Sequence, residues 1–158
     1  MNADPSARGW HPIGAQPLAW VQDQWLFELA LHDWDIRVAL DPSTDVRPSA
    51  QGAFARTLPA RIGRGFGGGD DPKLAGLYRF QLDSAAPFTF FGRVGDGGLS
   101  IVSDDGTTPD VTIQTDPSAF ALVTTNRRPV ERFEPAGRWQ VSGDAAKAGG
   151  FVQAFKSY

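Results

Sequence analysis

The sequence predicts an α+β protein in which a sheet of about five strands is covered on one face by helices and preceded by one long N-terminal helix. Three observations predict this class. Apolar residues recur at helical spacing from Leu18 to Leu40, whereas beyond residue 72 they recur in short alternating or β-rich runs. Asp116 and Asp144 then precede helix-like segments at the position that caps a helix. With 158 residues, the chain is long enough to bury a core.

The N-terminal segment divides into a leader and a helix. Residues 1–16 are rich in Pro, Gly and small polar residues without periodicity, which predicts an extended or partly disordered leader. Pro17 suits the first turn of a helix, and Asp41-Pro42 ends it because the residue before a proline leaves the α region. The sequence therefore predicts a helix over 17–41.

This first helix is apolar on two opposite sides. One stripe contains Leu18, Val21, Trp25, Leu29, His32 and Ile36, with Glu28 at its border, and the other contains Trp20, Phe27, Leu31, Trp34 and Val38. A helix of this kind is normally packed on both sides, so one side is expected to face the rest of the chain. An apolar patch formed by Trp20, Phe27, Leu31 and Trp34 predicts a homodimer or a partner protein bound through this helix.

A second helix and a connector are predicted next. The helix is expected from Ser49 to Ile62, and the segment "GRGFGGGDDP", residues 63–72, is expected to be flexible. A phosphate loop is not favoured there, because no Lys-Ser/Thr pair follows and the next element is a strand.

The second half of the chain predicts the sheet and its covering helices. Turn signals separate five β-rich runs, of which the first four predict an antiparallel meander. The runs are "KLAGLYRFQLDS", "PFTFFGRV", "LSIVSD", "DVTIQT" and "GRWQVSG". Asp116-Pro117 is expected to open the helix "PSAFALVTTN", and Asp144 to cap a final helix, "AAKAGGFVQAFKSY", weakened by Gly149 and Gly150.

Composition and charge exclude several classes of function. The net charge is -3 and the charges alternate in sign along most of the chain, so neither nucleic acid nor a membrane is expected as a partner. The absence of cysteine excludes thiol nucleophiles and cysteine-based zinc sites. No signal peptide or apolar run of about 20 residues is visible, which predicts a soluble, cytoplasmic protein.

Two features resemble the mycothiol-dependent maleylpyruvate isomerase family. The succession of "PDVTIQTDPSAFALVTTNR" and "GRWQVSGDAAKAGGFVQAF" resembles its C-terminal, sterol-carrier-protein-2-like domain, which would span 48–158 here. The segment "ELALHDWDIR" resembles the last helix of the family's DinB-like metal-binding bundle. The resemblance implies a sterol-carrier-protein-2-like fold, in which either the phenylalanines fill the core, the favoured alternative, or an apolar tunnel opens for a lipid-like ligand.

The same resemblance implies a metal site. Glu28 and His32 match the family's E-x-x-x-H pair, which binds a divalent metal such as zinc together with a histidine from an earlier bundle helix. Residues four apart on a helix project from one face and can reach one ion. The earlier helices have no counterpart in this sequence, so a third ligand would come from His11 or from a second molecule. The resemblance also implies mycothiol as a cofactor, without assigning a catalytic residue.

Arginines form the other candidate site. Arg127, Arg128, Arg132 and Arg138 surround the last loop and strand, where they would either bind an anion or pair with Glu131 and Glu134. Arg138 is the cofactor-binding candidate, since the family also uses an arginine of its C-terminal domain.

Three functions follow from these sites. The favoured one is an accessory or non-catalytic domain that binds a small ligand or a partner protein. The first alternative is a mycothiol-dependent isomerase or transferase completed in trans, and the second is a carrier of a lipid-like molecule.

Overall fold

The structure is a computed structural model that describes Asp4, residues 7–11 and residues 14–155. The chain divides into two compact units, Met1–Thr57 and Leu58–Tyr158, with the division inside the second helix. In the part of the chain described, no helix is long and apolar enough to cross a bilayer. The expected domain bounds of 1–16, 17–41 and 48–158 stay predictions.

The first unit begins with a short strand pair that leads into a long helix. Strands β1 (Arg8–Gly9) and β2 (Gln16–Pro17) pair antiparallel, and helix α1 follows over Leu18–Leu40. The backbone N–H of Leu18 donates a hydrogen bond to the carbonyl of Ala7 at 2.9 Å. Part of the expected leader is therefore regular structure, whereas residues 1–3, 5–6 and 12–13 of it lie outside the described residues.

The buried side of α1 corrects the expected docking patch. Phe27, Leu31 and Trp34, three of its four members, are buried, and the indole of Trp34 donates to the carbonyl of Thr44 at 3.0 Å. Three members of the opposite stripe are exposed instead, Trp25 by 61%, Leu29 by 59% and Ile36 by 69%, whereas Val21 of that stripe is buried. Helical spacing shows two apolar faces but cannot tell which of them the chain covers.

Helix α2 (Gln51–Gly65) follows a 3-10 turn at Pro48–Ala50. Arg56 of α2 pairs with Asp23 of α1 at 2.7 Å within the first unit. The following glycine-rich segment is not the flexible connector that was expected. Phe66 forms a β-bridge with Phe155, and the N–H of Gly67 donates to the carbonyl of Ala154 at 2.8 Å.

The second unit contains a mixed sheet of five strands in the order β5-β4-β3-β6-β7. The strands are β3 (Gly76–Leu82), β4 (Phe88–Gly95), β5 (Gly98–Val102), β6 (Val111–Thr115) and β7 (Trp139–Gly143). The expected four-strand antiparallel meander is wrong at β6, which pairs parallel to β3. Val111, Thr112 and Ile113 of β6 are buried, as expected of a strand with a neighbouring strand on each side.

Two local predictions about turns and caps are confirmed. Asp96 and Gly97 both have positive φ, which gives the type I′ geometry of a two-residue hairpin between β4 and β5. Asp116 caps helix α3 (Pro117–Thr124) and Asp144 caps helix α4 (Ala145–Gln153), each by accepting two backbone N–H bonds. The predicted extension of α4 to Tyr158 is wrong for the described residues, because the helix ends at Gln153 and Phe155 forms a β-bridge with Phe66. Residues 156–158 lie outside the described residues.

Helices α3 and α4 cover one face of the sheet. Tyr78 and Phe80 of β3 project to that face, where the ring of Phe80 lies 5.4 Å from those of Phe120 in α3 and Phe151 in α4. The centre of this layer is therefore filled by aromatic side chains. Arg79 and Gln81 alternate with them and project to the opposite, uncovered face.

Candidate functional site

A cleft of about 560 Å³ lies at one end of the helix-covered face. It is bounded by strand β7, helix α4, the end of α3 and the turns of residues 126–134. Its apolar lining includes Val123, Val130, Trp139, Val141, Ala148 and Val152. The cleft thus continues the core outward at the edge of the sheet.

Strand register explains the sheet side of the cleft. Trp139 pairs with Thr115 and Val141 with Ile113, so both project to the helix-covered face. Trp139 is buried, whereas Val141 is 40% exposed because β7 is an edge strand that the helices only partly cover. Val141 therefore offers apolar surface to a ligand.

Small residues on α4 explain the helix side. Ala148 and Gly149 follow Ala145 by three and four residues, so all three lie on one face of α4. They face the cleft together with Val152. A Cβ atom added at Gly149 would meet nothing within 4 Å, so this glycine borders open space. Larger residues here would fill the cleft.

The rim of the cleft is polar and balanced in charge. Two arginines, Arg127 and Arg128, and two glutamates, Glu131 and Glu134, line it. Asn126 holds the turn after α3 in a left-handed conformation, with φ of 54°, and its side-chain amide donates to the carbonyl of Phe155 at 2.6 Å. The rim therefore carries no strong preference for one sign of charge.

The structure places Arg138 outside this lining. Its guanidinium forms two hydrogen bonds with the Asp116 carboxylate, at 2.7 and 3.0 Å, and lies 5.1 Å from the ring centroid of Phe133. This geometry ties the start of β7 to the N-terminus of α3. A cofactor-binding role for Arg138 stays a prediction.

Glu28 and His32 lie on α1 in the first unit. The side chain of His32 is 65% exposed, and its Nδ1 atom lies 3.1 Å from an oxygen of Asp35. His11 packs edge-on against Trp20, with ring centroids 5.0 Å apart. Among the described residues, no group of three His, Cys, Asp or Glu side chains could hold one ion. The donors present therefore do not fit a three-ligand zinc site, and metal binding by Glu28 and His32 stays a prediction.

Sequence reasoning missed the residues of the cleft. The sequence places Val141, Ala148, Gly149 and Val152 in a strand and a helix and gives them no role in binding. The available signal is the run of small residues in "AAKAGGFVQ", in which the two glycines lower helix propensity and all of the small side chains leave room beside a sheet.

The sequence matches one family model. The model described as the SCP-2 sterol transfer family matches residues 72–156, more than half of the chain. These residues contain the whole sheet and every residue of the cleft lining. A search of the curated proteins finds no match.

The chain is similar to solved structures of sterol carrier proteins at low sequence identity. The sterol carrier protein domain 2 of Helicoverpa armigera aligns with a TM-score of 0.52 and 14% identity, covering 70% of this chain and 93% of that one. Sterol Carrier Protein 2 Like 2 of Aedes aegypti aligns with a TM-score of 0.49 and 17% identity, covering 66% and 94%. Sterol Carrier Protein 2 of Yarrowia lipolytica aligns with a TM-score of 0.47 and 14% identity, covering 64% and 91%. The predicted α+β fold is confirmed.

Proposed function

The chain belongs to the SCP-2 sterol transfer family, and from this membership we propose that it is a carrier that holds an apolar small molecule in the cleft between β7 and α4. The observation that carries the proposal is the partly exposed Val141 facing the open space beside Gly149. Exposed apolar surface inside a concavity is stabilised when a ligand displaces its water.

The size and chemistry of the cleft support a lipid-like ligand. Its volume of about 560 Å³ lies within the range of roughly 300–1,000 Å³ that is usual for small-molecule sites. Its floor is apolar and its charged residues lie at the rim, so the ligand would bury an apolar body and leave a polar end near Arg127 or Glu131. A strongly polar molecule would gain little from this lining.

Filling the cleft tests the proposal. In Gly149→Leu, the new side chain occupies the open space beside Val141, and a fluorescent fatty-acid probe is expected to bind at least about tenfold more weakly than to the unmodified protein. Helix stability should not fall, because leucine has a higher helix propensity than glycine by several tenths of a kcal/mol.

Gly52→Leu is the matched control. Gly52 is also an exposed glycine within a helix, α2, and does not line the cleft. This variant should bind the probe as the unmodified protein does. Equal binding by all three proteins would place the apolar ligand elsewhere and refute the proposed site.

The proposal also includes a more specific relation, namely that the chain is related to mycothiol-dependent maleylpyruvate isomerases. It is supported by the long helix α1, on which Glu28 and His32 lie one turn apart ahead of the carrier domain. In that case the chain is an accessory member, or a metalloenzyme whose site is completed by another molecule.

Calorimetric titration with Zn²⁺ separates these two outcomes. Saturable binding that is lost in His32→Ala would favour the metalloenzyme. No saturable heat, with probe binding intact, would favour the accessory carrier.

A further inference from the structure

The uncovered face of the sheet carries a second concave region. Two adjoining depressions of about 490 and 640 Å³ meet there. Arg79 of β3, Phe91 of β4 and Asp104 of the loop after β5 line both of them. The region lies on the opposite side of the sheet from Tyr78 and Phe80, and hence from the apolar cleft.

Arg79 is the central side chain of this region. It is half-buried, and its Nε atom donates to the hydroxyl of Thr112 at 3.2 Å. Among the described residues, no carboxylate forms an ion pair with its guanidinium, and no hydrogen bond of its two terminal nitrogens is found. The Thr112 bond fixes the orientation of the guanidinium, so those terminal N–H groups are held in one direction.

Other half-buried arginines of the chain differ from Arg79. Arg37 pairs with Asp33 at 2.9 Å, and Arg138 pairs with Asp116 at 2.7 Å. Burying part of a guanidinium is unfavourable unless an anion compensates for the lost water, and the planar fork of its N–H groups suits an oxyanion. Arg79 is therefore positioned for an anion supplied from outside the chain.

The remaining lining narrows the ligand further. Hydroxyl groups of Thr89, Ser103, Thr107, Thr108, Thr112 and Ser142 surround the region. Asp104 is held by the N–H of Gly106, which donates to its Oδ1 atom at 3.0 Å. A carboxylate disfavours a bare anion but accepts hydrogen bonds from hydroxyl or amino groups, and the Phe91 ring offers a flat apolar surface.

We propose that this face binds a small hydrophilic molecule that carries an oxyanion, either phosphate or carboxylate, together with hydroxyl or amino groups. Arg79 and the neighbouring hydroxyls bind the oxyanion, Asp104 accepts hydrogen bonds from the other groups, and Phe91 packs against the carbon skeleton. This site is separate from the apolar cleft and does not depend on its ligand.

Titrations followed by ¹H–¹⁵N NMR test the proposal. The probes are inorganic phosphate, glucose 6-phosphate and gluconate, and the readouts are the dissociation constant and the shifted amides. Saturable shifts at Phe91 and Thr112 are expected, with at least one of the two hydroxylated anions binding more tightly than inorganic phosphate. Whichever of those two binds more tightly identifies the oxyanion as phosphate or carboxylate.

Three variants define the site. Arg79→Gln should weaken binding by about tenfold or more, and Arg79→Lys, which keeps the charge but loses the fork, should weaken it less. Arg93→Gln is the control, because Arg93 lies exposed on β4 without lining either depression and should bind within about twofold of the unmodified protein. Thermal melts of all three confirm that they fold.

Two outcomes would overturn the proposal. One is the absence of saturable binding by every probe, and the other is equal weakening by Arg93→Gln and Arg79→Gln, which would indicate unspecific attraction to positive charge. Gly149→Leu should leave these titrations unchanged, so failure of this site and failure of the apolar cleft are distinguishable.

Discussion

Asp116 performs two structural tasks with one carboxylate. It accepts the backbone N–H groups of Ser118 and Ala119 at the start of α3, and it pairs with Arg138 across from the start of β7. Asp144 performs the capping task alone for α4, where it accepts from Ala146 and Lys147. A comparison of the two residues therefore separates the contribution of the ion pair to stability from that of the helix cap.

We expect Asp116→Ala to destabilise the protein more than Asp144→Ala does. Loss of a cap costs about 1 kcal/mol, and loss of Asp116 also leaves the partly buried Arg138 without its carboxylate, for a total of roughly 2 kcal/mol. Urea unfolding measures both changes. The loss of stability in Asp116→Asn, which keeps a capping oxygen, should lie between the losses in the two alanine variants. Equal losses in the two alanine variants would contradict a role for the ion pair.

Among the residues that the structure describes, Tyr78 has the pKa that folding shifts most strongly. Burial is the main cause, and the carboxylates of Asp110, Asp144 and Asp71 add to it, which raises the pKa of Tyr78 to about 12 from its ordinary 10.0. Its hydroxyl donates to the carbonyl of Leu74 at 2.8 Å. The folded state thus favours the neutral phenol.

This raised pKa predicts a loss of stability in alkali. The contribution is fully present below pH 10 and is lost as the pH rises from about 10 to about 12, because the unfolded chain releases the proton first. Urea unfolding across that range, compared with Tyr78→Phe, measures it. The variant should be less stable at neutral pH by about 1 kcal/mol through the lost hydrogen bond, and the difference should shrink as the pH rises.

At the scale of elements, α4 combines two adjacent glycines in different surroundings. A Cβ atom at Gly149 would border open space, whereas one at Gly150 would lie 2.6 Å from a methyl carbon of Leu74, which is buried. The sequence alone does not tell the two glycines apart, because both have the same helix propensity.

The two alanine substitutions should therefore differ in sign or size. Gly149→Ala is expected to raise the free energy of unfolding by about 0.8 kcal/mol, the usual difference in helix propensity. Gly150→Ala should gain less than this or lose stability, because Leu74 must move. Urea unfolding measures both changes. Equal gains in the free energy of unfolding would show that the Leu74 side chain can move aside at no cost.

Local signals were enough to predict most elements but not how they assemble. The Asp116 and Asp144 caps, the turn at Asp96-Gly97 and the alternation in β3 depend on neighbours in sequence, and the structure contains all of them. The parallel pairing of β6 with β3 depends on residues more than 30 positions apart, and the same alternation suits either neighbour. The apolar cleft was missed for the same reason, since Val141 and Gly149 meet only after β7 and α4 pack.

At the scale of the whole molecule, self-association stays a prediction, but it now concerns the other face of α1. Trp25, Leu29 and Ile36 form a stripe of large exposed apolar residues along about three turns of helix. A second copy would cover this stripe by an antiparallel pairing of the two helices.

Light scattering at micromolar concentration should therefore give the mass of a dimer. The double change Leu29→Asp and Ile36→Asp should yield a monomer that still binds the fatty-acid probe. Leu40→Asp, at the exposed end of α1, is the control and should weaken the dimer less. A monomeric mass for the unmodified protein would refute the prediction.

The position of the apolar cleft beside an outermost strand has a kinetic consequence. Because β7 has a neighbouring strand on one side alone, an apolar ligand of the proposed carrier could enter from that edge without separating the helices from the sheet. The association rate constant should then lie close to the diffusion limit. The residence time would be set by the dissociation rate constant, which depends on the contacts of the ligand's apolar part. A carrier with such a site would exchange its ligand quickly, which suits rapid transfer better than long storage.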